Sequence, residues 1–74
     1  MSILPLVAPR RIVRALERAG FYVHDQHGSH CTMKRDIDSR RVTIAIHPRT
    51  INKGLLVSIL NQAGLTVEEF RNLL

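Results

Sequence analysis

Residues 21–46 read FYVHDQHGSHCTMKRDIDSRRVTIAI, and this stretch decides the fold. Apolar and polar residues alternate in it, and a period of two is typical of strands with one buried face. Two polar turns, residues 25–28 and 36–40, divide it into three runs. The second run covers residues 29–35 and the third covers residues 41–46. Short turns join neighbouring antiparallel strands, so the stretch predicts a three-stranded meander.

Helical periodicity flanks this stretch on both sides. Residues 9–19 and residues 53–63 each repeat apolar residues at helical spacing, and a glycine follows each segment. Thr66 and Glu69 have the spacing of a capping box, which predicts a short last helix. The predicted stripe of the second helix consists of Leu55, Leu56, Ile59, Leu60 and Ala63. The predicted fold class is α+β, an α-β-β-β-α domain with its helices on one face of the sheet.

Size and composition predict one small domain. The chain has 74 residues, of which 45% are hydrophobic, and we expect a domain over residues 9–74 after an extension over residues 1–8. A single cysteine, Cys31, excludes an internal disulfide scaffold. The apolar run at residues 3–8 is broken by Pro5 and is too short for a signal peptide or a membrane span. We therefore expect a soluble, cytoplasmic protein.

The charge favours a polyanionic partner. Eleven Lys and Arg residues against six Asp and Glu residues give a net charge of +5. Nucleic acid is the first candidate partner and an acidic protein the second, although such a charge also simply keeps a protein soluble. The predicted phosphate contacts are Lys34, Arg35, Arg40, Arg41 and Lys53. DNA reading by residues 53–63 is disfavoured, because the only basic residue of that helix stands at its start.

Strand alternation sorts side chains between the two faces of the predicted sheet. The residues expected toward the helices are Phe21, Val23, Cys31, Met33, Val42, Ile44 and Ile46. Those expected on the open face are Tyr22, His24, His30, Thr32, Lys34, Thr43 and Ala45, with His47 at its edge. The predicted register places His30 opposite His47 or close to it, with His24 beside His30.

Three interpretations compete for these histidines. His24, His30 and His47 could supply three zinc ligands, but their spacing matches no compact motif and no cysteine pair accompanies them. They could also be surface histidines without a task, which is the preferred interpretation for His27 in its turn.

The third interpretation is metal-free acid–base chemistry on RNA. Imidazole titrates near neutral pH, so His30 can take or give a proton. Lys34 would stabilise negative charge on the phosphate. Gly28 and Ser29, just before His30, would offer backbone amides and a hydroxyl.

The motifs resemble those of HicA-type toxins of toxin–antitoxin systems. The resemblance rests on Gly20–Phe21, on Gly28–Ser29–His30 and on the run from Val42 to His47. Its most specific part is KGLLVSILNQAGLTVEEF at residues 53–70. It implies a fold like the double-stranded-RNA-binding domain.

The resemblance also implies an activity, a site and a partner. The activity is that of an mRNA interferase, a metal-independent endoribonuclease of a type II system that needs no cofactor. Its catalytic histidine corresponds to His30 and its second common histidine to His47. We assign accessory roles to His47, Ser29 and Lys34. The implied partner is a HicB-type antitoxin. The alternative function is a non-catalytic RNA- or protein-binding module of the same fold.

Overall fold

The computed structural model describes residues 3–46 and 51–74 of the chain. Its elements in chain order are α1 (Pro9–Arg18), β1 (Tyr22–His27), β2 (His30–Arg35), β3 (Arg40–Ala45), α2 (Lys53–Ala63) and α3 (Val67–Leu73). The strands form one antiparallel sheet in the order β1-β2-β3. This confirms the predicted α-β-β-β-α order and the α+β class.

Local signals in the sequence set the helix ends. At the end of α1 the Phe21 amide donates to the Leu16 carbonyl at 2.9 Å, a six-residue closure typical of a Schellman cap. At the start of α3, Thr66 Oγ1 accepts from the Glu69 amide at 3.1 Å, while Glu69 Oε1 accepts from the Thr66 amide at 2.9 Å. The predicted capping box is therefore present, and α2 has the predicted bounds.

The core lies between one face of the sheet and the helices. The sheet contributes Cys31, Met33, Val42 and Ile44, each at most 2% exposed. The helices contribute Ile12, Ala15, Leu16, Leu56, Ile59, Leu60, Ala63 and Phe70. Leu4 and Val7, in the segment before α1, also pack against this core. No helix in the described part of the chain is long and apolar enough to cross a membrane.

Two predicted core residues are exposed instead. Leu55 is 50% exposed, because it lies on the side of α2 away from the face that carries Leu56, Ile59 and Leu60. Val23 is 45% exposed, although it pairs with the buried Met33. It lies on an edge strand, at the rim of a groove beside α1.

β1 contains an irregularity that the sequence analysis did not predict. Val23 pairs with Met33, whereas the next pair joins Asp25 to Thr32, so β1 has one extra residue at His24. After such a bulge the alternation along the strand is inverted, so residues that would have faced the core face outward.

Two arginines and one aspartate connect the β2–β3 turn to both long helices. The Arg35 guanidinium donates to Asp38 through Nη2 at 2.7 Å and through Nε at 3.1 Å. It also donates to the carbonyls of Ala19 at 2.9 Å and Ala63 at 3.3 Å, just after α1 and at the last residue of α2. Arg40 Nε donates to the same carboxylate at 3.1 Å. We call these three residues, Arg35, Asp38 and Arg40, the Asp38 clip. Cations at helix C-termini interact favourably with the helix dipole.

The clip also explains a glycine. Gly64 ends α2 with a φ of +69°, and a Cβ built there would lie 2.5 Å from Cζ of Arg40. Glycine therefore meets two requirements at this position, a left-handed backbone and room for a guanidinium.

We expect Asp38→Asn to destabilise the fold in a pH-dependent way. Hydrogen bonding from Arg35, the largest cause, lowers the pKa of Asp38 below its usual value. A carboxyl group whose pKa is lower in the folded state than in the unfolded state stabilises the fold at pH values above its unfolded-state pKa. This stabilisation is lost as the pH falls through the folded-state pKa. Urea unfolding should show Asp38→Asn to be less stable than wild type at pH 7, and the difference should shrink below about pH 4.

Asp36→Asn is the matched control for that prediction. Asp36 lies in the same turn and accepts the hydroxyl of Tyr22 at 2.9 Å, a bond that an asparagine oxygen can still accept. A pH-independent difference for Asp38→Asn, or an equal loss in Asp36→Asn, would contradict the stabilising role of the clip.

Candidate active site on the open sheet face

Three rows of cross-strand neighbours make up the face of the sheet that points away from the helices. The rows are Tyr22–Lys34–Arg41, Asp25–Thr32–Thr43 and His27–His30–Ala45. Residues directly opposite one another in a sheet lie on the same face, so each row brings its side chains together. These residues alternate along β2 and β3 with the buried Cys31, Met33, Val42 and Ile44.

His30 is held at the start of β2 by its surroundings. It is exposed, as predicted, and it follows the two-residue turn Gly28–Ser29, in which Gly28 has a φ of +57°. The Ser29 carbonyl accepts the Ile46 amide, which connects the turn to the end of β3. Because Cys31 is buried next to it, His30 cannot turn inward without exposing the core.

The histidine beside His30 is His27 and not His24, so the prediction for β1 was wrong. The bulge at His24 moves Asp25 and His27 to the outward face, and His27 pairs directly with His30. Nε2 of His27 lies 2.7 Å from Oδ2 of Asp25. Sequence reasoning missed this pair because it continued the alternation of Tyr22 and Val23 through the strand, and nothing in the sequence marks the bulge.

The predicted pairing of His30 with His47 is also corrected in part. β2 pairs with β3 so that Ala45, not His47, stands opposite His30. His47 itself lies outside the described residues, so its accessory role remains a prediction.

The predicted phosphate contacts separate into two groups. Lys34 and Arg41 stand opposite each other on the open face, and neither forms an ion pair within residues 3–46 and 51–74.

Arg35 and Arg40 instead point to the helical side, where both belong to the Asp38 clip. The Arg35 guanidinium also lies 4.5 Å from the centroid of the Phe21 ring. Both guanidinium groups hydrogen-bond within the protein, and the assignment of the two residues as phosphate contacts stays a prediction. Lys53 is the exposed first residue of α2, in the helical layer.

Two other titratable groups near the sheet do not suit proton transfer or nucleophilic attack. The hydrogen bond from Tyr22 to Asp36 is the largest cause raising the pKa of the phenol, which keeps it protonated at neutral pH. Burial, and secondly the charge of Glu17, raise the pKa of the Cys31 thiol. Reactive cysteines have a lowered pKa and are partly exposed, so Cys31 is a core residue.

Cys31 forms part of the floor of a groove between α1 and the first hairpin. The groove has a volume of about 230 Å³, and its rim includes Arg10, Arg14 and Val23. It opens on the helical side, so it is separate from the histidine pair.

The described residues contain no group of three or more His, Cys, Asp or Glu side chains that could hold a metal ion. Of the three histidines considered for zinc, His24 has no cross-strand partner in the described pairing of β1 with β2, and His27 rather than His24 stands opposite His30. The described donors therefore do not fit a zinc site, which needs three or four converging ligands.

The fold and this face define a class of protein, a small basic α+β domain that presents histidines and cations on an open sheet. Residues 9–65 match the family model of the HicA toxin of bacterial toxin–antitoxin systems. No individual curated protein matches the chain. The chain belongs to the HicA toxin family, so it is the toxin of a toxin–antitoxin system, and its family implies an antitoxin partner.

We expect Arg41→Thr to stabilise the fold. Like charges directly opposite each other across two strands are unfavourable, and Lys34 and Arg41 form such a pair. Threonine suits a strand and removes the repulsion, so the free energy of unfolding should rise by about 0.2–1 kcal/mol at low salt. Urea unfolding at ~20 mM and at ~1 M salt is the measurement, and the gain should diminish at high salt because salt screens exposed charges. A loss of stability at low salt would show that Arg41 contributes through packing instead.

Proposed function

We propose that this toxin is a metal-independent endoribonuclease that cleaves mRNA in the cytoplasm, with His30 as general acid or base. The observation that carries the proposal is the position of His30, an exposed residue that follows the tethered Gly28–Ser29 turn. It lies on the same face as Lys34 and Arg41, which form no ion pair within the described part of the chain. Membership of the HicA toxin family supports the same conclusion.

The proposed cleavage uses only groups that the RNA and the protein themselves supply. The 2′-oxygen of a ribose attacks the adjacent phosphorus and forms a new P–O bond, while the bond from phosphorus to the 5′-oxygen breaks. A base takes the 2′-hydroxyl proton and an acid gives a proton to the departing 5′-oxygen, which leaves a 2′,3′-cyclic phosphate and a 5′-hydroxyl. An imidazole can carry a proton on one nitrogen and a lone pair on the other, so it can perform either transfer.

The cations of the open face suit the substrate. Lys34 and Arg41 share the first of the three cross-strand rows, and His30 lies two rows away, in the last. Cations at this distance can hold phosphates that flank the scissile one and so fix the position of the strand. Phosphate contacts carry no base information, so these two residues would favour binding without selecting a sequence.

The same face suits the antitoxin. The proposed partner is a HicB-type antitoxin with acidic side chains opposite Lys34 and Arg41, since complementary charge speeds association and selects partners. By covering His30 it would block access of RNA to the site. Ser29 retains an accessory role in this proposal, since its backbone positions His30.

We expect His30→Gln to lower RNA cleavage by about 10²–10⁴-fold, the contribution of general acid–base catalysis. Glutamine keeps hydrogen-bonding capacity but cannot transfer a proton at neutral pH. The measurement is cleavage of a long single-stranded RNA in the presence of a chelator, together with growth arrest on induction. His24→Gln is the matched control, because His24 is an exposed histidine at the bulge and stands outside the rows.

Binding to the antitoxin serves as the folding check for both variants and should be nearly unchanged. Full cleavage by correctly folded His30→Gln would refute the catalytic assignment. RNA retention without cleavage by the wild-type protein would instead favour the alternative, a non-catalytic RNA-binding module.

RNA affinity should depend strongly on salt through Lys34 and Arg41. Replacing both with glutamine should reduce the slope of log affinity against log salt by about 1–2, because the slope falls by close to one unit for each phosphate that the protein no longer neutralises. The matched control replaces Arg10 and Arg11 with glutamine, which removes the same charge from α1. A larger change of slope in the α1 variant would place the RNA on the helical side and contradict the proposal.

A further inference from the structure

We infer that His27, positioned by Asp25, is a second proton-transferring residue that acts together with His30. This inference rests on the proposed ribonuclease activity and goes beyond the single catalytic histidine of that proposal. It depends on the two-residue Gly28–Ser29 turn, which pairs His27 with His30, and on the β1 bulge, which lets His27 face outward although Val23 pairs with the buried Met33.

The geometry brings the two imidazoles within reach of one phosphodiester. Cβ atoms of directly opposed residues in an antiparallel pair lie about 4.5–5.5 Å apart, and their side chains leave the sheet on the same side. The two-residue turn Gly28–Ser29 connects His27 and His30 and limits their relative movement. Both residues are exposed, so an RNA backbone laid on this face can reach both rings.

Asp25 restrains the His27 ring. Oδ2 of Asp25 lies 2.7 Å from Nε2 of His27, and Oδ1 accepts the Gln26 amide at 2.9 Å. The carboxylate is therefore fixed by the backbone on one side and holds the imidazole on the other. This contact occupies Nε2 as a donor and leaves Nδ1 of His27 for a proton of the substrate.

With two histidines, one can accept a proton while the other donates one. A single histidine must perform both transfers in turn. One imidazole accepts the proton of the 2′-hydroxyl as the P–O2′ bond forms, and the other, protonated, donates to the 5′-oxygen as the P–O5′ bond breaks. After the reaction the first ring is protonated and the second is neutral, so the total number of protons on the enzyme is unchanged. Exchange with water then restores the starting forms. Asp25 touches only His27 and is a positioning residue.

A purely stabilising role explains the arrangement less well. The side chains of His27 and Asp25 are 85% and 49% exposed, and contacts between exposed polar side chains contribute little to stability. The charged and titratable neighbours among the described residues are few. Asp25 lies on β1 and His30 on β2, Ala45 of β3 is uncharged, and Lys34 and Arg41 lie two rows away.

The test measures kcat/KM for cleavage of a short single-stranded RNA in chelator from pH 5 to pH 9. The variants are His27→Gln, Asp25→Asn, His30→Gln and His47→Gln, with His24→Gln as the control. A two-histidine mechanism predicts a bell-shaped profile for the wild-type protein and for the control. His27→Gln should lower the maximum by about 10²-fold and remove one limb of the bell, while His30→Gln should remove the other limb. Asp25→Asn should shift along the pH axis the limb of the profile that His27→Gln removes. The other limb should stay at its wild-type position.

The outcomes separate this inference from the proposed function. If His30→Gln abolishes cleavage and His27→Gln keeps the wild-type maximum and both limbs, the second-histidine assignment is wrong and the proposed function stands. If His47→Gln removes the limb and His27→Gln does not, the second proton carrier is His47 and the inference is likewise overturned. If His30→Gln cleaves as fast as wild type, the proposed function itself fails. Circular dichroism and antitoxin binding show for each variant that a loss of activity is not a loss of fold.

Discussion

Burial of one face of the sheet is the constraint on which the rest of the structure depends. Cys31 pairs with Ile44 and Met33 pairs with Val42, and all four are covered by the helices. A shift of the register by one residue would move these side chains into water, so the pairing of β2 with β3 is fixed. The same pairing directs His30 outward. The catalytic proposal therefore depends on the core as much as on the histidine.

The arginines and the lysine of the second hairpin divide into structural and surface residues according to the face they occupy. Arg35 and Arg40 share the inner face with the core residues, at the end of the sheet, and hold Asp38 and the helix C-termini. Lys34 and Arg41 lie on the outer face opposite each other, an arrangement that costs stability. Retaining two repelling cations on one face is consistent with a polyanionic ligand there, because an anion removes the repulsion.

One edge of the sheet is partly covered by a helix, and the other is exposed. At β3 the Thr43 amide donates to Oε1 of Gln62 in α2 at 3.2 Å, so a helix side chain covers part of this edge. β1 forms the other edge, and all six of its residues are exposed. Its bulge at His24 increases local twist, a device that protects edge strands from pairing with other chains. The outward position of His27 depends on this same irregularity.

The sequence by itself determined the order of elements, the bounds of α2, the capping box at Thr66 and the exposure of His30. Each of these depends on local signals, namely periodicity, caps and alternation within one strand. The tertiary structure alone decided that His27 stands beside His30, that Arg35 and Arg40 bind Asp38, and that Leu55 is exposed. A bulge, an ion pair across a turn and the choice of the buried helix side all depend on neighbouring elements. The bulge and the buried side of α2 depend on packing between separate elements, and the clip, although its ion pairs are local, also bonds the distant carbonyls of Ala19 and Ala63.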